Sequence, residues 1–258
     1  MFAEERQQKI YDMICERRSI KVSELSSLMK ISEVTIRRDL EELHNQNLIL
    51  RTHGGAIAKY SVANEISAME LISSHKCVNE KRMISELAYT HVKDNDTILT
   101  DSSSTVYELI KLIATGKKKN LLIVTTSLLT VNVLSACSDI KVIMIGGEVN
   151  YRHNNMEGHI TKEIIKSLRA DKCFIGVNGI DEKFGYSTPR FEDAEVKSLI
   201  IESSIQSFLL ADNTKFGKTY LARINEECDY LITDRRLQGY DYDWLTERTD
   251  LLFAADMK

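Results

Sequence analysis

No run of apolar residues in the sequence is long enough to cross a membrane. The longer runs, such as residues 121–124 and 251–255, are far shorter than the ~20 residues that a transmembrane helix needs. The opening M-F-A-E-E-R-Q-Q-K is charged and lacks the apolar segment of a signal peptide. We therefore expect a cytoplasmic protein that has no membrane partner.

Cysteine is scarce and scattered, which argues against a disulfide framework and against a cysteine-based metal site. The histidines after residue 74 show no metal-ligand spacing with cysteines or carboxylates. We expect reduced thiols, no bound metal ion and no cofactor. The cysteines are Cys15, Cys77, Cys137, Cys173 and Cys228.

The sequence also lacks the excess of positive charge that is typical of nucleic-acid binding. The formal net charge is -4, and residues 1–57 balance nine Lys and Arg against nine Asp and Glu. Any affinity for DNA must therefore come from the local placement of charges. The sequence does have 258 residues, 43% of them hydrophobic, which is enough to build one large domain or one large and one small domain.

The segment S-E-V-T-I-R-R-D-L-E-E-L-H-N, residues 32–45, has the pattern of an amphipathic helix. Ser32 can cap this helix by accepting a backbone N–H, and neither glycine nor proline interrupts residues 34–45. Its apolar positions recur at helical spacing and predict one buried stripe. The stripe consists of Ile36, Leu40 and Leu43.

A different face of this helix carries one hydroxyl and two guanidinium groups, from Thr35, Arg37 and Arg38. These side chains suit a helix in the DNA major groove, because arginine hydrogen-bonds guanine edges or phosphates and short hydroxyls contact backbone or bases. An ordinary surface helix with solvated charges is the alternative. The helix alone does not decide between the two interpretations.

The elements around this helix predict a winged helix-turn-helix domain over residues 1–58. Arg51 and His53 flank a Gly-Gly tip that can approach a phosphate backbone closely. The predicted order is helix 4–18, strand 19–22, helix 24–29 with Ser23 as its cap, helix 34–45, strand 48–52, turn 53–55 and strand 56–58.

From residue 80 onward, short apolar strands alternate with helical patterns. This alternation predicts an α/β domain over residues 80–258, with a mostly parallel sheet covered on both faces. The polar residues 59–79 predict a linker between the two domains. The predicted strands are 97–100, 121–125, 141–145, 172–177, 207–211 and 230–233, and the helices between them include 106–114, 128–136, 161–168 and 194–204.

The loops after these strands hold the candidate ligand-binding residues, because ligands of such sheets bind at the carboxyl ends of the strands. Two runs of small hydroxyl residues precede helices, where free N–H groups and the helix dipole favour an anion such as phosphate. Two glycines after the third strand permit a close approach of the backbone to a ligand. In order, these residues are Asp101, Ser102, Ser103, Ser104 and Thr105, then Thr126 and Ser127, then Gly146 and Gly147.

Charged residues in other loops can complete such a site. Lys215 can add a positive charge to the same phosphate. Asp101, Asp181 and Glu192 can accept hydrogen bonds from sugar hydroxyls. Each of these residues, taken singly, is also explained as an ordinary cap or turn, and it is their recurrence at successive strand ends that favours a binding site.

The runs T-I-R-R-D-L and N-L-I-L-R-T-H-G-G-A resemble, without a gap over residues 23–56, the N-terminal signature of the DeoR family of bacterial transcription regulators. The blocks T-D-S-S-S-T, V-T-T-S-L, I-G-G, F-I-G-V-N-G-I-D, E-D-A-E-V-K and A-D-N-T-K-F-G resemble that family's effector domain. The resemblance implies a fold similar to ribose-5-phosphate isomerase, double-stranded operator DNA as a partner, and a phosphorylated sugar as effector. The DNA contacts it favours are Ser32, Thr35, Arg37, Arg38, Arg51 and His53.

Three positions depart from the family pattern. The loop after the first strand lacks the usual glycine, Thr126 stands where the family usually has asparagine, and Asn47 stands where it usually has glycine. The substitution at Thr126 removes an expected side-chain amide contact to the ligand. Asparagine is the next best residue for a left-handed helix end, so Asn47 preserves the expected turn.

Two functions of different classes fit these observations. The first is a transcription repressor that controls a sugar-metabolism operon, acts as a homodimer or homotetramer, and responds to a phosphorylated sugar. The second is a sugar-phosphate isomerase with an accessory N-terminal domain, in which Asp101, Asp181 or Glu148 is the base and Lys215 stabilises the enediolate. We favour the repressor, because isomerisation does not require a winged helix and a shared fold does not imply a shared activity.

Overall fold

The computed structural model describes residues 3–17, 19–45, 48–52, 54–58 and 77–256. The chain divides into two compact units, Met1–Ser73 and Ser74–Lys258. This division falls inside the predicted linker, residues 59–79, of which residues 59–76 lie outside the described part of the chain.

The N-terminal unit is a winged helix-turn-helix, as the sequence predicts. Its three strands form an antiparallel sheet in the order β1-β3-β2. The elements are α1 (Ala3–Arg17), β1 (Ser19–Lys21), α2 (Val22–Met29), α3 (Glu33–Asn45), β2 (Ile49–Thr52) and β3 (Gly55–Ala58).

The helix α3 forms where the apolar pattern and the cap predict it. The backbone N–H of Thr35 donates to Ser32 Oγ at 3.3 Å, which satisfies one of the free donors of the first turn. The whole predicted stripe is buried: Ile36, Leu40 and Leu43 pack with Ile10 and Ile14 of α1. The amphipathic period therefore accounts for both the helix and the face that it buries.

The predicted cap of the second helix is wrong. The helix α2 begins at Val22, its N-cap residue is Lys21 without a side-chain cap, and Ser23 lies inside the helix. The reason is that β1 leads directly into α2. The N–H of Val22 donates to the carbonyl of Gly54 at 2.9 Å, so the chain turns from strand to helix without a capping side chain.

A partly buried ion pair joins α1 to α3 in the N-terminal unit. Arg6 Nε donates to Asp39 Oδ2 at 2.6 Å and Arg6 Nη2 donates to Asp39 Oδ1 at 3.0 Å. Asp39 is buried on the inner face of α3. The hydrogen bond to Asp39 raises the pKa of Arg6. This two-point contact fixes the rotation of α3 about its axis.

The C-terminal unit is built on a seven-stranded sheet in the order β15-β14-β12-β9-β4-β5-β6. Every neighbouring pair of strands in this sheet is parallel. The strands are β4 (Thr97–Thr100), β5 (Leu121–Thr125), β6 (Ile140–Met144), β9 (Ala170–Gly176), β12 (Ser204–Leu210), β14 (Tyr230–Thr233) and β15 (Asp250–Phe253).

Helices cover both faces of this sheet, as predicted. Ile98 and Leu99 are adjacent in β4 and belong to two different apolar clusters, one on each face. The helices are α4 (Val78–Thr90), α5 (Ser104–Thr115), α6 (Leu128–Leu134), α7 (His159–Lys166), α8 (Phe191–Glu202) and α9 (Asp243–Thr246). α4, α5 and α6 pack on one face, whereas α7 and α8 pack on the other.

Short antiparallel pieces were not predicted from the sequence. They are the hairpin of β7 (Glu148–Asn150) and β8 (Asn155–Glu157), and a small sheet of β10 (Gly179–Asp181), β11 (Gly185–Thr188) and β13 (Ala222–Arg223). The edge strand β15 was also missed. Of the helices in the described residues, none combines the length and the apolar character needed to span a bilayer.

Candidate functional sites

The outward face of α3 carries the candidate DNA contacts of the N-terminal unit. Arg38 is exposed, and no side chain or backbone group in the described part of the chain pairs with it. Arg37 Nη2 donates to Glu33 Oε2 at 3.0 Å. Arg51, in the wing strand β2, pairs with Glu41 of α3. Of these three arginines, Arg38 can therefore bind an outside partner without first breaking an ion pair.

The other candidate DNA contacts have different surroundings. The hydroxyls of Ser32 and Thr35 lie 2.9 Å apart and are hydrogen-bonded to each other. The hydroxyl that accepts this bond keeps its own hydrogen for an outside acceptor. His53 lies outside the described residues. The ion pairs of Arg37 and Arg51 are on the surface, where such pairs contribute only ~0–1 kcal/mol. A DNA phosphate can therefore replace either acidic partner at low cost.

In the C-terminal unit, four neighbouring strands bring their following loops to one edge of the sheet. The order β12-β9-β4-β5 places these loops at successive strand positions, ~4.8 Å apart. They contain Asp212–Lys215, Val177–Asn178, Asp101–Ser103 and Thr126–Ser127, respectively. The predicted contacts Asp101, Thr126 and Lys215 thus share one edge, as expected for a parallel sheet.

Asp101 is held by the protein itself. Its carboxylate pairs with the ammonium of Lys197 and accepts the N–H groups of Gly176 and Ser103, both at 2.9 Å. Burial alone lowers the pKa of Lys197, but the charges of Asp101 and of Asp193, whose Oδ1 is 3.4 Å away, outweigh it and raise that pKa. Asp101 therefore fixes the shape of the first loop, whatever else it contacts.

The loop after β4 presents hydroxyls at the N-terminus of α5. Ser102, Ser103 and Ser104 are partly exposed, and Ser103 Oγ caps the helix by accepting the N–H of Val106 at 3.5 Å. The first-turn N–H groups of α5 precede its first intrahelical hydrogen bonds and point toward this edge. Ser103 also packs against Gly176, where an added Cβ would lie 2.4 Å from Ser103 Oγ.

Two lysines, Lys81 and Lys215, belong to segments that contact or neighbour this loop. Of the two, the sequence analysis predicts only Lys215 as a ligand contact. Lys215 lies in a 3₁₀ turn after β12, with Nζ 3.8 Å from Asp212 Oδ2. Lys81 is buried on α4, one turn before Ser85, whose hydroxyl donates to the carbonyl of Thr105 at 3.0 Å. Burial lowers the pKa of Lys81, and Lys215 lowers it further while Asp212 raises it. The sequence does indicate the burial of Lys81, because helical spacing places it on the same face as the apolar residues of its helix.

The second predicted anion site, at Thr126 and Ser127, is covered by the hairpin β7–β8. The N–H of Leu128 donates to the carbonyl of Asn154 at 2.8 Å, and the N–H of Thr130 donates to Ser127 Oγ at 3.3 Å. Thr126 and Ser127 are both buried. Two first-turn N–H groups on which that prediction depends, those of Leu128 and Thr130, therefore already have acceptors in the protein.

Gly146 and Gly147 follow β6 at the margin of the same edge. An added Cβ on Gly147, whose φ is +154°, would lie 1.9 Å from Thr161 Oγ1 and 2.7 Å from the carbonyl of Glu157. Packing against α7 is thus sufficient to require this glycine. Gly146 is exposed, with nothing within 4 Å of an added Cβ.

Asp181 and Glu192 are engaged in other contacts. Asp181 Oδ1 accepts the N–H groups of Lys183 at 3.0 Å and Phe184 at 2.9 Å, which forms the turn between β10 and β11. Glu192 Oε2 lies 3.2 Å from Lys162 Nζ. Hydrogen bonds with Glu195 and Glu192 raise the pKa of Lys162. Both acids are therefore engaged by other groups of the protein.

A polar network near α8 was not predicted from the sequence. The hydroxyl of Thr188 is 3.0 Å from Asn178 Oδ1 and also contacts the carboxylate of Asp193, which links β9, β11 and α8. Arg190 Nη2 donates to Glu157 Oε2 at 2.6 Å and so ties α8 to the hairpin. These residues are far apart in sequence, and only the i,i+4 spacing of Asp193 and Lys197 could have indicated the network.

Around the strand ends, three buried side-chain atoms have no hydrogen-bond partner among the described residues: Thr100 Oγ1, Asn154 Nδ2 and Asn155 Oδ1. Buried polar atoms without partners are rare in proteins and are typical of places where a water or a ligand binds. In the described part of the chain, no group of three or more His, Cys, Asp or Glu side chains is arranged to hold a metal ion.

Comparison with known proteins matches both units of the chain. A DeoR-like helix-turn-helix domain matches residues 6–62, and a DeoR C terminal sensor domain matches residues 76–235. The HTH-type transcriptional regulator YulB of Bacillus subtilis (strain 168) is 33% identical over 239 residues, which are 92% of this chain and 91% of that protein. The HTH-type transcriptional repressor GlcR of the same organism is 32% identical over 240 residues, 91% of this chain and 90% of GlcR.

A third relative is the lactose phosphotransferase system repressor of Staphylococcus epidermidis, which is 28% identical over 89% of this chain and 91% of that protein. Among solved structures, ribose 5 phosphate isomerase A from Neisseria gonorrhoeae has a TM-score of 0.38 and 19% identity, over 57% of this chain and 55% of that one. The delta subunit of eIF2B from Chaetomium thermophilum has a TM-score of 0.42 and 12% identity, over 66% and 61% of the two chains.

YulB, GlcR and the lactose system repressor are all named as transcriptional regulators or repressors, and this chain matches each of them over about nine-tenths of its length. The chain itself matches both a DeoR-like helix-turn-helix domain and a DeoR sensor domain. The isomerase alternative is not supported, since the matched domains and the named relatives are those of transcriptional regulators. The chain belongs to the DeoR family of DNA-binding transcriptional regulators, with an N-terminal helix-turn-helix domain and a C-terminal sensor domain.

Proposed function

We propose that this protein represses a sugar-metabolism operon by binding double-stranded operator DNA through α3, and that a phosphorylated sugar in the sensor domain controls this binding. The observation that carries the proposal is Arg38, an exposed arginine on the outward face of α3 that has no partner in the described part of the chain. The names of relatives that repress sugar systems support the sugar-related part of the proposal.

The DNA contact requires a guanidinium that can leave water for a base edge or a phosphate. Arg38 can do so without breaking an existing ion pair, whereas Arg37 and Arg51 must exchange an acidic partner. Arg38 forks onto guanine or a phosphate, and the other two contact the backbone. A homodimer or homotetramer presents two such helices to half-sites about one helical turn apart.

The sensor contact requires positive charges and hydrogen-bond donors around a dianionic phosphate. The N-terminus of α5, the hydroxyls of Ser102 and Ser104, and the ammonium groups of Lys81 and Lys215 supply them. The effector alters operator affinity by stabilising one arrangement of the oligomer over another, with a coupling free energy of typically ~1–3 kcal/mol.

The DNA part of the proposal is tested with Arg38→Ala. Loss of a base-reading arginine is expected to weaken operator binding by ~1–3 kcal/mol, about fivefold to 150-fold. The matched control is Arg82→Ala, which removes another exposed arginine from α4 of the sensor domain. Binding is measured by fluorescence anisotropy on DNA selected by the wild-type protein from a random-sequence pool. An Arg38→Ala variant that binds as tightly as Arg82→Ala shows that the assignment of α3 is wrong.

The effector part is tested with Lys215→Glu. Wild-type protein is screened with phosphorylated sugars for a rise in melting temperature, since a ligand at 100 times its dissociation constant stabilises a protein by ~2.7 kcal/mol. In Lys215→Glu, the negative charge is expected to abolish that rise and the effect on DNA binding, while operator binding itself is retained. If the same sugar phosphate still acts on the variant at the same concentration, Lys215 does not contact it.

A further inference from the structure

Val34 is the feature of α3 that the arginine contacts leave unexplained. Its side chain is 79% exposed, more than any other large apolar residue in the described part of the chain. A valine in such a position gains nothing from burial within the protein. As a β-branched residue it is also a slightly poorer helix former than alanine. The side chain of Val34 is therefore available to a partner outside the folded unit.

The direction of the Val34 side chain indicates which partner it can contact. At ~100° per residue, Val34 and Arg38 point only ~40° apart, and each lies about 160° from the buried Ile36. Val34 thus stands one turn before Arg38 on the face opposite the core. The bidentate contact between Arg6 and Asp39 holds this face outward.

We infer that Val34 contacts the C5-methyl group of a thymine and thereby specifies thymine at one position of each operator half-site. This inference rests on the proposed function. Recognition helices contact base edges with residues of their N-terminal part, and Val34 is the second residue of α3. Among the groups that the four bases present in the major groove, the thymine methyl is the apolar one. Val34 adds a preference for thymine to the contact that Arg38 makes with a base or a phosphate.

The test compares thymine with deoxyuridine, which differs only by the absence of the 5-methyl group. Wild-type protein first selects its site from a random-sequence DNA pool, and each thymine of that site is then replaced singly by deoxyuridine. Wild-type protein is expected to lose about fourfold in affinity at one thymine per half-site, the effect of burying one methyl group. Val34→Ala is expected to bind the thymine site more weakly and to bind both versions of that position equally well.

A matched control removes the same two methyl groups elsewhere. Val78→Ala changes a valine that is 43% exposed in the first turn of α4, and it should discriminate thymine from deoxyuridine like the wild type. Val34→Ala is expected to fold, because the side chain is exposed and alanine favours a helix more than valine does. A helical circular dichroism spectrum equal to that of the wild type confirms this.

Two results overturn the inference while leaving the proposed function intact. In one, Val34→Ala shows the same loss as wild-type protein at every deoxyuridine position. In the other, no deoxyuridine weakens wild-type binding. The DNA-binding proposal is judged separately by Arg38→Ala on the same DNA. If wild-type protein selects no DNA at all, both proposals are overturned.

Discussion

The buried ion pair at the end of β4 allows a quantitative test of what holds the first sensor loop. Lys197 and Asp101 are nearly inaccessible, with 5% and 4% of their side chains exposed, whereas Asp193 is 21% exposed. Lys197→Met removes the ammonium and leaves both carboxylates without their cation. Breaking a buried pair in this way costs ~3–5 kcal/mol of the free energy of unfolding.

The converse substitution is expected to cost less. In Asp101→Asn, Lys197 keeps Asp193, whose Oδ1 is 3.4 Å from its Nζ. The loss is then mainly that of a hydrogen bond to a charged group, ~1–3 kcal/mol. The double variant has neither buried charge, so its loss is expected to fall short of the sum of the single losses by ~0.5–3 kcal/mol.

Unfolding of the sensor domain can be followed separately, because the single tryptophan, Trp244, lies in that unit and packs against its core. Urea titrations monitored by its fluorescence give the free energy of unfolding for each variant. Lys111→Met is the control. It removes a lysine whose ion pair is on the surface, and it is expected to stay within ~0.5 kcal/mol of wild type. Single losses that simply add, or a Lys197→Met variant as stable as Lys111→Met, would refute the reasoning.

Three further predictions concern other parts of the molecule. Glu33→Gln frees Arg37 and is expected to tighten DNA binding about twofold to fivefold at low salt, measured by anisotropy, and unchanged binding would contradict it. Leu40→Ala is expected to destabilise the N-terminal unit by ~2–5 kcal/mol, lowering its melting temperature by circular dichroism while the Trp244 transition is unchanged. Burial lowers the pKa of Lys81, so this lysine loses its positive charge at a lower pH than an exposed lysine does. The affinity for a sugar phosphate should therefore fall as the pH rises toward ~10. Calorimetric titration should show no such fall in affinity for the Lys81→Met variant. An equal fall in the variant and in wild-type protein would show that Lys81 is not the group responsible.

The sequence was sufficient wherever structure follows from local periodicity. The stripe of Ile36, Leu40 and Leu43 and the hydroxyl of Ser32 specify α3 without any information from elsewhere in the chain. The strands β4, β5 and β14 begin and end where predicted, because buried parallel strands are short apolar runs between polar loops.

The sequence was insufficient wherever the contact joins distant segments. Lys197 and Asp101 are 96 residues apart, and their pairing depends on the placement of α8 beneath the loop after β4. The cover of Ser127 by Asn155 depends on a hairpin whose strands, Glu148–Asn150 and Asn155–Glu157, each hold a single apolar residue, which is too short a pattern to predict a strand. Lys81 differs from these cases, because its position on the apolar face of α4 follows from local helical spacing alone.

The contact between Arg6 and Asp39 has a practical consequence for altering the protein. It anchors α3 from its inner side, so substitutions at Val34 and Arg38 leave that anchor untouched. Under the proposed function, exchanging the outer residues alone is expected to change the operator preference, while the sensor domain and its response stay the same.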